Sequence, residues 1–311
     1  MLRLLQWSDS HLNASGVSAM QRLIPTVPDI DLCIHCGDVT QGHYQDGIGN
    51  YDATKSVCVI GNHDSIDERG VNPVAYEWHK QVSQKTLFDT YLAKSKTALE
   101  LDIADNTTWW SKLVASENVL ILGVNDTALG DAQAAQIEWF KNKVKYAEDN
   151  SLSLVVVKHG PTNYVNLESN SFTSKYMDSA SFISDKVSYV NTYKGNDTMM
   201  TELVKTSAKV LCVLCGHEHG DGFGYIVKND STNIPVVFVG STFVDGYNDV
   251  ARTTNESLTT CVVANVVEYD SNVDTLRVYR LGADGIANGG ARKILSHSYK
   301  KNGIVSICSV R

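Results

Sequence analysis

The sequence has no apolar run near the ~18–20 residues that a membrane helix needs, no internal repeat and no low-complexity tract. It also lacks an excess of basic residues: 27 Lys+Arg stand against 35 Asp+Glu, a formal charge of −8. That balance argues against wrapping long nucleic acids, whose binding comes mostly from phosphate neutralisation. It says little about a small anionic substrate, which responds to the local field. Hydrophobic residues at 43% and charged residues at 20% exclude a disordered or collagen-like chain. A length of 311 residues is read as a single domain over 1–311.

A fully paired disulfide framework is excluded within one chain, because seven cysteines is an odd number. Most lie inside apolar runs, where a thiol behaves as a small hydrophobe. Cys33/Cys36 and Cys212/Cys215 have the C-x-x-C spacing of zinc and redox sites. Both pairs sit in strand-like segments, so residues i and i+3 point to opposite faces and cannot share a metal. The first residues, Met1–Trp7, are too short for a secretory leader and read as a buried strand. A cytoplasmic, reducing compartment is the expectation, with a place in a larger phage or surface protein as the second reading.

Short apolar runs alternate with amphipathic stretches. Strands are expected at Leu2–Trp7, Leu32–Cys36, Val57–Ile60, Val119–Val124, Leu152–Lys158, Val210–Cys215, Pro235–Val239, Thr260–Glu268 and Thr275–Tyr279. Ala132–Tyr146 carries Ala135, Ile137, Phe140 and Val144 at helical spacing behind Asp131 as N-cap, and Met199–Ser207 is a shorter helix candidate. This alternation predicts a layered α/β domain. Two stretches break it: 65–117, which holds Trp78, Trp109 and Trp110, and 162–198, rich in Ser, Asn, Thr and Tyr. Both are expected to be inserts. The strand-rich part from about residue 250 is less diagnostic, and its last 30 residues, with Gly-rich Gly282–Gly290, read as hairpins or an edge addition.

Chemistry-bearing residues cluster just after the apolar runs. Ser8-Asp9-Ser10-His11, Gly37-Asp38, Gly61-Asn62-His63-Asp64, His159-Gly160-Pro161 and Gly216-His217-Glu218-His219 each follow one. In open α/β sheets, sites form beyond the carboxyl ends of strands, so neighbouring strands would bring these side chains together. Alone, Asp9 reads as a helix cap, Gly37-Asp38 and Gly61-Asn62 as turns, and His159 as a core histidine. Together, Asp9, His11, Asp38, Asn62, His159, His217 and His219 offer seven nitrogen and oxygen donors. That is too many for one ion and suits two that share a carboxylate.

The ordered set Asp9-x-His11, Gly37-Asp38, Gly61-Asn62-His63-Asp64, His159 and Gly216-His217-x-His219 resembles the calcineurin-like metallophosphoesterase superfamily over residues 8–219. A Gly-Asn-His-Asp tetrapeptide alone arises by chance in on the order of one chain in a thousand. The resemblance implies a four-layer α-β-β-α sandwich: two mixed sheets flanked by helices, with the metal site at the strand C-terminal edge. It implies that Asp9, His11 and His219 hold one metal, that Asn62, His159 and His217 hold the other, and that Asp38 bridges them. It makes His63 the general acid or transition-state stabiliser, oriented by a hydrogen bond with Asp64. The cofactors would be two divalent transition ions such as Mn, Fe or Zn. At about 3.5–4 Å apart they would activate a bridging hydroxide for attack on a phosphomono- or phosphodiester. One departure is visible: Lys158-His159-Gly160-Pro161 lacks the second histidine that many relatives carry there.

The expected partner is a small phosphate ester, with neither nucleic acid nor membrane. The rival readings are a metal-binding scaffold of the same fold and a nuclease. His35 is expected in the core, and His43, His79 and His297 at the surface. Lys158, Lys175 and Tyr176 are candidate phosphate contacts, and His43 and Tyr44 could reach the substrate.

Overall fold

A computed structural model describes residues 1–11, 14–40, 51–65, 82–128, 130–160, 197–217, 222–240, 263–282 and 292–310. Two mixed sheets carry the fold. Among the described residues, the first has seven strands in the order β13-β12-β11-β10-β1-β2-β3, and the second has six in the order β4-β5-β6-β7-β9-β8. In chain order the strands are β1 (Leu2–Trp7), β2 (Leu32–His35), β3 (Val57–Cys58), β4 (Trp110–Val114), β5 (Val119–Gly123), β6 (Ser153–Val157), β7 (Val210–Cys215), β8 (Gly222–Val227), β9 (Asn233–Phe238), β10 (Val263–Asp270), β11 (Thr275–Gly282), β12 (Arg292–Ser298) and β13 (Gly303–Val310). The helices are α1 (Ala14–Leu23), α2 (Gln84–Leu87), α3 (Ala93–Ala98), α4 (Gly130–Asp149) and α5 (Asp197–Lys205). None of the described helices is long and apolar enough to cross a membrane.

The parallel strands are mostly apolar runs. β1, β2 and β3 are parallel, as are β5, β6, β7 and β9. Strands buried on both faces need no alternation, which is why these stretches show none. On β7, Cys212 joins the core shared by both sheets, while Cys215 joins the cluster under α4 and α5. The two thiols thus face opposite ways, as strand geometry requires. Cys33, Cys36, Cys58, Cys212 and Cys215 are all buried and free.

Helix α4 begins at Gly130, so Asp131 lies in its first turn rather than capping it. Its buried stripe is Gln136, Phe140, Val144 and Ala147. Ala135, expected on that stripe, is exposed. Gln136 takes the place because its amide clasps the loop after β5: Asn125 N–H donates to Oε1 at 2.7 Å, and Nε2 donates to Asn125 O at 3.0 Å.

The 65–117 segment is not a separate insert where it is described. Leu87, Phe88, Tyr91, Leu92, Leu101, Ile103 and Trp110 all belong to the main core. Trp110 donates Nε1–H to Cys58 O at 2.9 Å. Its strand, β4, pairs antiparallel with β5. Ser83 caps α2 by accepting from Thr86 N–H at 3.2 Å. A π-helical turn, Phe88–Leu92, then joins α2 to α3. Trp78 and residues 162–196 lie outside the described residues.

Buried polar side chains fasten the sheets to each other. Gln6 on β1 is fully buried and donates Nε2–H to Cys215 O at 3.1 Å and to Val237 O at 3.0 Å. Asn265, its register partner on β10, donates to Gln6 Oε1 and to Phe238 O, both at 3.2 Å. Leaving any one of these buried groups unsatisfied would cost about 1–3 kcal/mol, so the row locks the two sheets in one register.

His297 is buried rather than at the surface. A register shift between Ser296 and His297 in the β12–β13 pairing breaks the alternation that the sequence suggests. Its Nδ1 lies 3.1 Å from Tyr225 Oη, and its ring packs edge-on to Tyr299 at 4.7 Å. Burial pushes the imidazole down to about 4, with Asp274 acting against that fall and Lys209 adding to it. In the unfolded chain a histidine titrates at about 6.5. Above that pH both states are neutral, and the stability associated with neutral His297 is fully present. Below it the unfolded chain takes up a proton that the folded chain refuses, so stability drains away until about pH 4. Urea midpoints measured across that window should therefore fall more steeply for wild type than for His297→Gln, and parallel curves would exclude His297 as the cause.

Candidate metal centre

Beyond β1, β2, β3, β6 and β7, the loops from both sheets meet at their carboxyl ends. The first sheet delivers Asp9, His11, Asp38, Asn62, His63 and Asp64, and the second delivers His159 and His217. Main-chain bonds stitch the loops together. Asp9 N–H donates to Gly37 O at 3.0 Å, His11 N–H to Asp38 O at 3.1 Å, and Gly216 N–H to His159 O at 3.0 Å. Asp9, His11, Asp38 and His217 all have left-handed backbone, with φ of 50°, 42°, 55° and 71°. Non-glycine residues avoid this region, and such strain collects where a surrounding structure forces it.

Two glycines of the motifs leave room for the side chains of Asp38, Ser8 and Asp9. A Cβ on Gly61 would lie 2.1 Å from Asp38 Oδ1, and one on Gly216 would lie 1.8 Å from Ser8 Oγ and 2.6 Å from Asp9 Oδ2.

His159 is fully buried, and its Nδ1 lies 2.7 Å from Cys36 O. A carbonyl can only accept, so Nδ1 carries a hydrogen, and it is Nε2 that is left to hold a proton or a cation. Around Nε2 stand Asn62 Oδ1 at 3.0 Å, His217 Nδ1 at 3.1 Å and Asp38 Oδ2 at 3.2 Å. A proton on Nε2 can point at one of these acceptors, whereas a cation can satisfy several at once. The donor set therefore fits a metal ion. The electrostatics agree. Burial alone would lower the His159 pKa, yet the Asp38 charge and hydrogen bond raise it to about 10. Burial alone would raise Asp38, yet His159, His63 and His11 hold it well below the usual carboxylate range. The pocket is built to hold positive charge.

Two groups of potential ligand atoms form here, His11–Asp38–His63 and Asp38–His159–His217, each with its atoms within 4.8 Å of one another. Asp38 belongs to both. The His11 and His63 rings meet edge-on at 4.9 Å. His217 N–H also donates to Asp9 Oδ2 at 2.8 Å, which draws Asp9 toward the second group.

Asp64 departs from its expected role. Its carboxylate accepts from Thr40 N–H at 2.9 Å, Thr40 Oγ1–H at 3.0 Å, Gly61 N–H at 3.0 Å and Val39 N–H at 3.3 Å. These bonds tie the Asp38 loop to the Gly61 loop, and His63 is not among the carboxylate's partners. Burial and the nearby Asp38 charge push Asp64 up to about 6 against the pull of its donors.

Lys158 is no phosphate contact. It is buried and pairs with buried Asp126 at 3.3 Å. Asp126 also accepts from Gly160 N–H at 2.7 Å, which fixes the turn after His159. His35 is a core residue: its Nε2 lies 3.0 Å from Ser10 Oγ and its ring packs edge-on to Trp7, and burial lowers its pKa to about 3. His219, His43, Tyr44, His79, Lys175 and Tyr176 lie outside the described residues. Sequence reading missed Thr40, Gln136 and Gln6. Only the i, i+2 spacing of Asp38 and Thr40 hinted at the first.

A family model described as calcineurin-like phosphoesterase matches residues 2–221. No curated protein matches. Among solved structures, a dimetal phosphatase from Danio rerio is similar, with a TM-score of 0.56, 11% identity, and coverage of 96% of this chain and 99% of that one. At that identity the likeness speaks to fold alone. A phosphoesterase from E. coli covers both chains fully at 12% identity, but its TM-score of 0.31 carries no weight.

The glycine contacts give a direct test. Gly61→Ala should fold, as read by circular dichroism, yet bind divalent metal at least ~10-fold more weakly than wild type. Equal metal content by elemental analysis would show that the Asp38 loop yields to the added methyl.

Proposed function

This chain belongs to the calcineurin-like phosphoesterase family, a family of phosphoester hydrolases, and from that premise we propose that it cleaves a small phosphomono- or phosphodiester at a two-metal centre. One observation carries the reading: the Asp38 carboxylate stands within reach of both candidate ligand groups. In this reading Asp9, His11 and His219 hold one ion, Asn62, His159 and His217 hold the other, and Asp38 joins them. When bound, two divalent ions would supply a hydroxide nucleophile near neutral pH and draw in the phosphoryl oxygens. The protein's part is to keep the donors converged and deprotonated. Cys36 O does this for His159 by holding its hydrogen on Nδ1.

His63 is the proposed proton donor to the leaving alkoxide. It is only partly buried, whereas His159 and Asp38 are fully enclosed, so it is open to a substrate. Its backbone N–H donates to Asp38 Oδ1 at 2.9 Å, which supports a position close to the candidate metal ligands. Histidine is the side chain most often used for such proton transfer. The −8 charge disfavours long nucleic acids but not a small ester, because two divalent ions would outweigh the carboxylates of Asp9 and Asp38. A pure scaffold would have no need of so many converging lone pairs.

The test is a manganese-reconstituted assay on para-nitrophenyl phosphate, its bis-ester and cyclic nucleotides. Hydrolysis of at least one, abolished by chelator, is expected; inertness toward all three in a metal-loaded protein would defeat the reading. Asp38→Asn should lose metal and activity together. His63→Ala should keep its metal and lose about 10²–10⁴-fold in turnover, and full turnover in that variant would remove His63 from the reaction.

A further inference from the structure

A buried chain of hydroxyls reaches the metal loops from the π-helical turn between α2 and α3. Tyr91, within that turn, is fully buried. Its Oη lies 3.0 Å from Thr40 Oγ1, which lies 3.0 Å from Asp64 Oδ1. The direction of these bonds follows from counting donors. Oδ1 of Asp64 receives Thr40 N–H and Thr40 O–H, and Oδ2 receives Val39 N–H and Gly61 N–H. All four bonds end on acceptor oxygens, so the Thr40 hydroxyl spends its hydrogen on Asp64. Thr40 Oγ1 can then only accept from Tyr91, and Tyr91 O–H donates.

The carboxylate at the end of this chain holds the backbone on both sides of the site. Val39 and Thr40 directly follow Asp38, and Gly61 directly precedes Asn62. Tyr91 is tied to the same region a second way, because Cys58 Sγ lies 4.0 Å from its backbone carbonyl and Cys58 ends β3, the strand before Gly61. A π-turn shifts every later residue around the helix axis and recurs at functional sites; here Tyr91 is within the shifted turn.

We propose that Tyr91 is a positioning residue for the metal centre, acting through Thr40 and Asp64 to hold the loops of Asp38 and Asn62 at ligand spacing. The inference rests on the two-metal reading above. Removing a partner that orients ligands typically weakens metal binding or activity about 10- to 100-fold, and the lower end applies to a hydroxyl two bonds away.

The experiment compares wild type, Tyr91→Phe, Thr40→Val and the double variant. It measures manganese affinity by competition with a chromogenic chelator, the thermal midpoint of the metal-free protein, and kcat and KM on para-nitrophenyl phosphate. Tyr91→Phe should bind manganese about 10-fold more weakly and lose kcat with KM unchanged. The double variant should be no worse than Thr40→Val, because the tyrosine acts through the threonine. Wild-type manganese affinity in Tyr91→Phe overturns the proposal, as does a lowered midpoint with affinity intact, which marks a merely structural hydroxyl. Additive losses in the double variant overturn the route through Thr40. A wild-type chain that binds manganese yet hydrolyses nothing would sink the phosphoesterase reading while the binding data still judge Tyr91. A wild-type chain that binds no manganese sinks both.

Discussion

The structure turns on the approach of Asp38 to His159, 3.2 Å apart and both buried. One comes from the loop after β2 in the first sheet, the other from the end of β6 in the second. A carboxylate and an imidazole lone pair brought this close out of water need a positive charge between or upon them. That need explains the raised His159, the depressed Asp38 and the ring of acceptors around Nε2. It also sets what the rest of the fold must achieve, which is to hold two sheets at a fixed separation at this one edge.

The inter-sheet row does that work from within the core. Gln6 and Asn265 spend their amides on carbonyls of the opposite sheet, and Cys215, whose carbonyl takes one of those bonds, lies two residues before His217. A slip of either sheet would strand several buried polar groups at once. The same logic governs the buried Lys158–Asp126 pair. Such a pair adds little net stability, because desolvation offsets attraction, but it allows one arrangement of the turn after His159 and few others. Left-handed backbone at Asp9, His11, Asp38 and His217 completes the pattern: local strain is accepted at the candidate ligands because the layers around them are over-determined.

Much of this was legible beforehand, and the reasons are specific. β7 was read to the residue because Val210–Cys215 is apolar throughout and bounded by polar chain. Asp9, His11, Asp38, Asn62, His63, His159 and His217 were legible as a set because each follows an apolar run, and parallel strands put their carboxyl ends at one edge. What stayed hidden was of a different kind. The 65–117 segment reads as an aromatic-bearing insert, yet in its described part Trp110 and Tyr91 lie in the main core. Periodicity could not reveal this, because its helix is interrupted by a π-turn that shifts the pattern. His297 read as a surface histidine in a polar stretch, since a β-bulge leaves no mark in composition. Asp64 was paired with its chain neighbour His63, whereas its carboxylate turns the other way to gather four donors from two loops.

The sequence by itself determined most of the parallel strands, the candidate donors and the strand ends after which they lie, because apolar runs and residue chemistry are local properties. The tertiary structure alone decided which donors share a neighbour and which groups hold them there. Those relations depend on the separation of the two sheets, and that separation is held by buried side chains such as Gln6 and Asn265, whose partners on the other sheet lie tens to hundreds of residues away.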